Sequence, residues 1–259
     1  MKQITGIRFL QSISCVMLFS LLSFAQLIAQ EKFIYPDIDQ AFLKIWLGAN
    51  NVKSSELSIY MDEAGHVWKR RKKDVVNADI EHFDLNLLTV DLDQLLQLME
   101  NQLNKGNINQ VKSYAYHFMW EFRSIRQCSF IETYPLDLLW DAHDLYQEIN
   151  YTIDDPMFGL REWSDFENLV NDFMCAFENY DLMHINQITE WYPGIDVKQH
   201  KSSKDKVSEC LYNLLLSFES GFQPDYKLPC DELGFALESL FQSYADAKVS
   251  HPILPKGKM

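Results

Sequence analysis

The chain has 259 residues, of which 47% are hydrophobic and 14% aromatic, and its formal net charge is −14. That much apolar material can bury a sizeable core, which excludes an intrinsically disordered chain. A phosphate backbone or an anionic bilayer would repel this charge, so the composition argues against nucleic-acid binding and suits a basic partner instead.

Residues 1–29 have the layout of a secretory signal peptide. Lys2 and Arg8 form a basic start, an apolar stretch covers 15–25, and the small residue Ala29 offers a cleavage site. The apolar stretch is about half of the roughly 20 residues that a membrane-spanning helix needs. We therefore expect a cleaved leader and an exported protein with no membrane association. The leader resembles those of Gram-negative bacteria, which predicts a periplasmic protein; from another source it would be secreted.

Four cysteines remain after the leader is removed, and an oxidising compartment permits two disulfides among them in three possible pairings. This number is low for a disulfide scaffold, and helical surroundings favour buried free thiols for three of the four. Disulfide formation therefore stays open for Cys128, Cys175, Cys210 and Cys230.

The segment 30–89 is predicted to hold one helix and one β-hairpin. Apolar residues recur with a helical period over 37–47. Apolar and polar residues then alternate over 57–61 and are followed by turn residues, which favours a hairpin at 56–71. The basic run 69–73 at its end is interpreted as a solvated edge that discourages strand pairing.

The segment 90–247 is predicted to be a helical bundle, followed by a tail at 248–259. Its helical periods cover 91–103, 111–126, 136–149, 164–180, 185–191, 204–222 and 230–247. The predicted fold class is therefore mainly α, a helical bundle with one small β-hairpin near the mature N-terminus.

Two parts of this bundle have similar sequences, which suggests two duplicated three-helix units at 90–149 and 164–246. Val, Tyr and Phe recur at a constant spacing, as Val111, Tyr116 and Phe122 in one part and as Val207, Tyr212 and Phe218 in the other. A proline follows in each part, Pro135 and Pro229, and is expected to open the next helix. Chance similarity is the alternative, because amphipathic helices share a period.

Four carboxylates lie three or four residues apart within one predicted helix. Asp137, Asp141, Asp144 and Glu148 would form an acidic stripe on its surface, with Trp140 between the first two. These five residues are the predicted partner-binding site, in which the acids steer a basic partner and Trp140 anchors it. In the competing interpretation, Trp140 packs into the bundle and the acids only keep the protein soluble.

The chain contains none of the GxSxG, GxxxxGK[ST], GxGxxG and HExxH motifs. We therefore predict no catalytic residue, no metal site and no cofactor, which favours a non-enzymatic role. The leading hypothesis is an exported acidic helical protein that binds another protein, for example an immunity or inhibitor protein against a toxin or hydrolase. The alternatives are a small-molecule or cofactor-binding bundle and an enzyme without recognisable motifs. A deep pocket with convergent polar groups would favour these alternatives.

Overall fold

The computed structural model describes residues 33–51, 54–78, 80, 83–128, 134–160 and 163–248. Within these ranges the chain forms nine α-helices and no β-strand, so the prediction of a mainly α fold is confirmed. The predicted signal peptide lies outside the described residues, as does the tail beyond residue 248. No described helix is both long enough and apolar enough to cross a membrane.

The helices follow one another with short connections. They are α1 (Pro36–Asn51), α2 (Ser54–Val76), α3 (Leu85–Asn104), α4 (Ile108–Cys128), α5 (Pro135–Asp154), α6 (Trp163–Asp181), α7 (Ile185–Trp191), α8 (Val197–Ser217) and α9 (Pro224–Ala245). Single 3₁₀ turns occupy Phe158–Leu160 and Phe218–Ser220.

Local chemistry sets several of the helix starts. The side chains of Asp84 and Asp196 accept hydrogen bonds from the first free backbone N–H groups of α3 and α8. Prolines occupy the first turn of α5 and α9. Backbone N–H groups in a first turn have no partner within the helix, so proline, which lacks this group, costs no hydrogen bond there. Pro229 lies inside α9, so the prediction that it opens this helix is wrong.

The predicted β-hairpin at 56–71 is wrong, because these residues belong to α2. Leu57, Met61 and Trp68 are buried and recur with a helical period. Positions 57 and 61 fit a strand period and a helical period equally well. Ile59 distinguishes the two periods, because a strand would bury it beside Leu57 and Met61 whereas a helix places it on the opposite face. The residue is 63% exposed, as the helix requires.

The basic run 69–73 lies on α2 and forms ion pairs within the protein. Arg71 Nε lies 2.8 Å from Asp37 Oδ2, and Lys72 pairs with Asp93 in the middle of α3. The interpretation of this run as the edge of a strand is therefore also wrong.

Helix α1 lies at the centre of the bundle and packs against α2, α4 and α9. The ring of Phe42 stacks on that of Phe118 with centroids 3.6 Å apart. Apolar side chains are buried along the whole helix: Ile38, Ala41, Phe42, Leu43, Ile45, Trp46 and Leu47. Polar groups on such a helix need partners, and Asp37, Asp39 and Gln40 all form hydrogen bonds to other elements.

The second half of the bundle is built around α9, which packs against α8, α5 and α1. Helix α6 packs chiefly against α5, and near its end the Tyr180 hydroxyl also lies 2.8 Å from that of Tyr244 on α9. The predicted unit 90–149 contains α3 to α5, and 164–246 contains α6, α8 and α9 with α7 added. The duplication itself stays a prediction.

The four cysteines in the described part of the chain are free thiols. Cys128 and Cys175 are exposed, whereas Cys210 and Cys230 are buried. Burial raises the pKa of the Cys230 thiol to about 12. This thiol therefore stays protonated and packs as a small apolar side chain.

Candidate functional site

The five residues of the predicted partner site all lie on α5, but they face different surroundings. Asp137 and Trp140 are buried, Asp141 and Asp144 are half-buried, and Glu148 is exposed. The structure therefore does not present them as one outward acidic face.

Asp137 belongs to a buried ion network. Arg126 donates from Nε and Nη2 to the two carboxylate oxygens of Asp137, at 2.8 and 2.6 Å. Its Nη1 also donates to Asp39 Oδ2 at 3.1 Å, and Tyr134 donates to the same oxygen at 2.7 Å. Arg126 is only 1% exposed. One guanidinium thus faces two carboxylates, and burial raises the pKa of Asp39 to about 6.

Asp141 and Asp144 share a second arginine of α4. Arg123 donates from Nη1 to Asp144 Oδ2 at 2.6 Å, and its other terminal nitrogen pairs with Asp141. Tyr116 donates to the remaining oxygen of Asp144 at 2.8 Å. These bonds occupy the carboxylates in the middle of the stripe, although the single Arg123 charge balances only one of the two. Of the four acids only Glu148 is exposed, and it has no ion pair among the described residues.

Trp140 packs into the bundle. Its ring centroid lies 4.3 Å from that of Phe241 and 5.0 Å from those of Trp46 and His143. The side chain is 3% exposed, so it does not point outward as an anchor would.

A cleft of about 470 Å³ opens where α1, α4 and α5 meet. Its lining residues are Trp46, Asn109, Lys112, Ser113, Tyr116, His143, Asp144 and Gln147. The Lys112 ammonium lies 4.5 Å from the Trp46 ring centroid and 3.7 Å from Glu238 Oε1 on α9. Burial lowers the pKa of Lys112 and that of His143.

His143 carries an unsatisfied polar atom at the wall of this cleft. Its Nε2 lies 3.2 Å from the amide nitrogen of Gln147, whereas Nδ1 has no hydrogen-bond partner among the described residues. The closest carboxylate oxygen, Asp144 Oδ1, is 3.7 Å away. A buried donor or acceptor without a partner is rare in folded proteins.

An aromatic pocket of about 360 Å³ lies at the start of α6. It is lined by Phe158, Gly159, Trp163, Phe166, Phe218, Gly221, Gln223 and Tyr226. Gly221 has a φ of +64°, a left-handed conformation that favours glycine and lets the chain turn between α8 and α9. Gln223 fixes the rim because its amide nitrogen donates to the carbonyl of Ile153 at 2.6 Å.

Helix α6 exposes four acids that pair with no base among the described residues, whereas Asp181 at its end pairs with Lys204 at 2.9 Å. The helix contains no Lys or Arg. Asp165, Glu167, Asp172 and Glu178 are exposed, and none of them forms an ion pair in the part of the chain that the structure describes. Its buried face consists of Phe166, Val170, Phe173, Phe177 and Tyr180.

No protein-family model, curated protein or solved structure matches the chain. The described residues also contain no group of His, Cys, Asp and Glu side chains that could hold a metal ion.

Proposed function

We propose that this chain is an exported, acidic helical protein that binds a basic protein partner. An immunity or inhibitor protein that neutralises a toxin or hydrolase is the concrete form of this function. The observation that carries the proposal is the aromatic pocket beside an acidic flank of α6 whose charges are not neutralised. Most of the α5 stripe is a weaker candidate, because Arg123 and Arg126 pair with three of its carboxylates.

One side of α6 combines an aromatic anchor with negative charge. Trp163, Glu167, Met174 and Glu178 are spaced by four, seven and four residues, so they lie along one flank of the helix. Trp163 is 46% exposed and lines the aromatic pocket. Buried aromatic anchors carry most of the affinity at interfaces, whereas complementary charge raises the association rate. This flank, which we call the α6 flank, has both features.

The opposite side of α6 supplies a matched control. Asp165 and Asp172 are seven residues apart and lie on the other flank of the exposed face. Converting both to lysine changes the net charge by the same amount as converting Glu167 and Glu178. Any difference in association rate between the two double variants must therefore come from where the charges lie and not from the net charge.

We expect peptides selected against this protein from a random twelve-residue display library to be basic and to contain a large apolar residue. Glu167→Lys with Glu178→Lys should slow association of a selected peptide about tenfold at low salt, because the steering field is reversed where the peptide docks. Asp165→Lys with Asp172→Lys should slow it less. Biolayer interferometry measures both rates, and circular dichroism checks that the helices remain.

The Trp163→Ala variant distinguishes the contribution of the aromatic anchor from that of the charges. Loss of the anchor should raise the dissociation rate about tenfold or more and leave the association rate nearly unchanged. The proposal is wrong if the selected peptides are neutral or acidic, or if the two lysine double variants slow association equally.

A further inference from the structure

The cleft between α1, α4 and α5 is independent of the α6 flank and has the composition of a ligand site. Its volume of about 470 Å³ is sufficient for a small organic molecule. Aromatic rings of Trp46 and Tyr116 form part of the wall, and Asn109, Ser113 and Gln147 supply exposed polar groups at the rim. The charged groups of the cleft decide what kind of molecule fits.

Most of the charge around the cleft is already paired. Asp144 accepts hydrogen bonds from Arg123 and Tyr116, so its carboxylate is largely satisfied. Glu238 accepts a hydrogen bond from the Asn50 amide at 2.9 Å. The carboxylate that lines the cleft, Asp144, thus has most of its acceptor capacity occupied within the protein.

Lys112 is the group that lacks a good partner. Its side chain is 26% exposed, and its closest anion is Glu238 Oε1 at 3.7 Å. A charge-assisted hydrogen bond between an ammonium and a carboxylate is about 2.7–2.9 Å long. The ammonium is thus held over the Trp46 ring by a weak ion pair, with donor capacity left for an anion.

His143 lines the same wall but offers no donor to a ligand. Because the Gln147 amide nitrogen donates to Nε2, the ring proton resides on Nδ1, which has no hydrogen-bond acceptor among the described residues. The Nδ1 atom is completely covered by its surroundings, so a molecule in the cleft would not reach it. The Lys112 ammonium is therefore the donor that a ligand would meet, and it calls for a negatively charged acceptor.

We propose that this cleft binds a small monocarboxylate with an apolar tail. The carboxylate pairs with the Lys112 ammonium in place of Glu238, and the tail lies against the Trp46 and Tyr116 rings. Glu238 competes with the ligand for Lys112, so it weakens binding.

Phenylacetate is a suitable probe, with phenylacetamide as a neutral control of the same shape and phenethylamine as a cationic one. In ¹H–¹⁵N NMR spectra of the purified protein, phenylacetate should shift amide signals of residues 109–116 and 143–147 with a dissociation constant of about 1 mM or below. The amide and the amine should bind at least tenfold more weakly.

Two variants predict changes of opposite sign. Lys112→Met keeps the length of the side chain but removes the charge, and it should weaken phenylacetate binding about tenfold or more. Glu238→Gln removes the competing anion and should tighten binding at least twofold. Lys206→Met, at an exposed lysine paired with Glu209, is the matched control and should leave binding unchanged.

Three results would overturn this inference: tighter binding of phenethylamine than of phenylacetate, weaker phenylacetate binding in Glu238→Gln, or equal binding in Lys112→Met and Lys206→Met. An absence of any phenylacetate-dependent shift at concentrations up to about 100 mM would do the same. Melting temperatures of the variants distinguish loss of the site from loss of the fold.

Discussion

Replacement of Arg126 by methionine is expected to lower the free energy of unfolding by about 3–5 kcal/mol. The change leaves the carboxylates of Asp39 and Asp137 buried without their cation, since both are less than a tenth exposed. It also removes the contact of the guanidinium with the Tyr134 ring, whose centroid is 4.5 Å away. Urea unfolding followed by circular dichroism at pH 7 measures the loss.

Arg123→Met is the matched control for this experiment. Arg123 is itself buried and also pairs with two carboxylates. Its partners Asp141 and Asp144 are half-buried, so water can solvate them once the guanidinium is gone. The expected loss is therefore smaller, about 1–2 kcal/mol.

Removing the carboxylates together with the cation should restore part of the stability. Arg126→Met combined with Asp39→Asn and Asp137→Asn leaves no unpaired buried charge, and such replacements cost far less than removing one partner. If the triple variant were no more stable than Arg126→Met alone, unpaired charge would not be the cause of the loss. Equal losses in Arg123→Met and Arg126→Met would contradict the same argument.

Helix periodicity was sufficient to predict most of the fold. The pattern at 37–47 indicates α1, and the pattern at 111–126 indicates α4, each within a few residues of the observed ends. The hairpin prediction failed because Ile59, which completes the alternating pattern with Leu57 and Met61, is exposed on the opposite face of α2. The longer repeat of Leu57, Met61 and Trp68 could have indicated the helix, since it continues beyond the strand pattern.

The carboxylate stripe shows what the sequence of a single helix cannot predict about a site, namely the exposure of its side chains. Spacing correctly placed Asp137, Asp141 and Asp144 on α5, but their exposure depends on neighbouring helices. Arg123 and Arg126 lie three residues apart on α4, and their partners Asp141 and Asp137 lie four residues apart on α5, so each pair spans about one helical turn. That match was visible in the sequence as a basic pair opposite an acidic series, although only the packing of α4 beside α5 makes it an ion network.

The cleft and the aromatic pocket needed the three-dimensional structure. Trp46, Lys112 and His143 are far apart in sequence and meet only where three helices converge. Phe158 and Phe218 likewise belong to two separate 3₁₀ turns. The acidic character of α6 was readable from its lack of Lys and Arg, but α5 lacks them too, so only the packing of neighbouring helices shows which acids stay unpaired.

Asp39 and His200 are expected to give opposite dependences of stability on pH. Burial raises the pKa of Asp39 from 3.8 to about 6, so the folded protein binds this proton more tightly than the unfolded chain does. The stability gained from Asp39 is therefore fully present below about pH 4 and is lost as the pH rises through 6. This difference in pKa corresponds to about 3 kcal/mol.

His200 acts in the other direction within the same range of pH. Its ring contacts the Tyr180 and Ser243 hydroxyls, and burial lowers its pKa from 6.5 to about 4. The unfolded chain then binds the proton more tightly, so stability from neutral His200 is present above pH 6.5 and is lost as the pH falls toward 4. This contribution is also about 3 kcal/mol, and the two should largely cancel in the unmodified protein.

Single variants should expose the two contributions. Relative to the unmodified protein, Asp39→Asn should lose stability as the pH falls from 6.5 to 4, because the protein no longer gains from protonating residue 39. His200→Gln should gain stability over the same interval, because the unfolded variant no longer gains free energy by binding a proton at residue 200. Urea unfolding at half-unit steps of pH measures both difference curves. Slopes of the same sign, or a flat curve for His200→Gln, would show that these two buried groups do not set the response of the fold to acid.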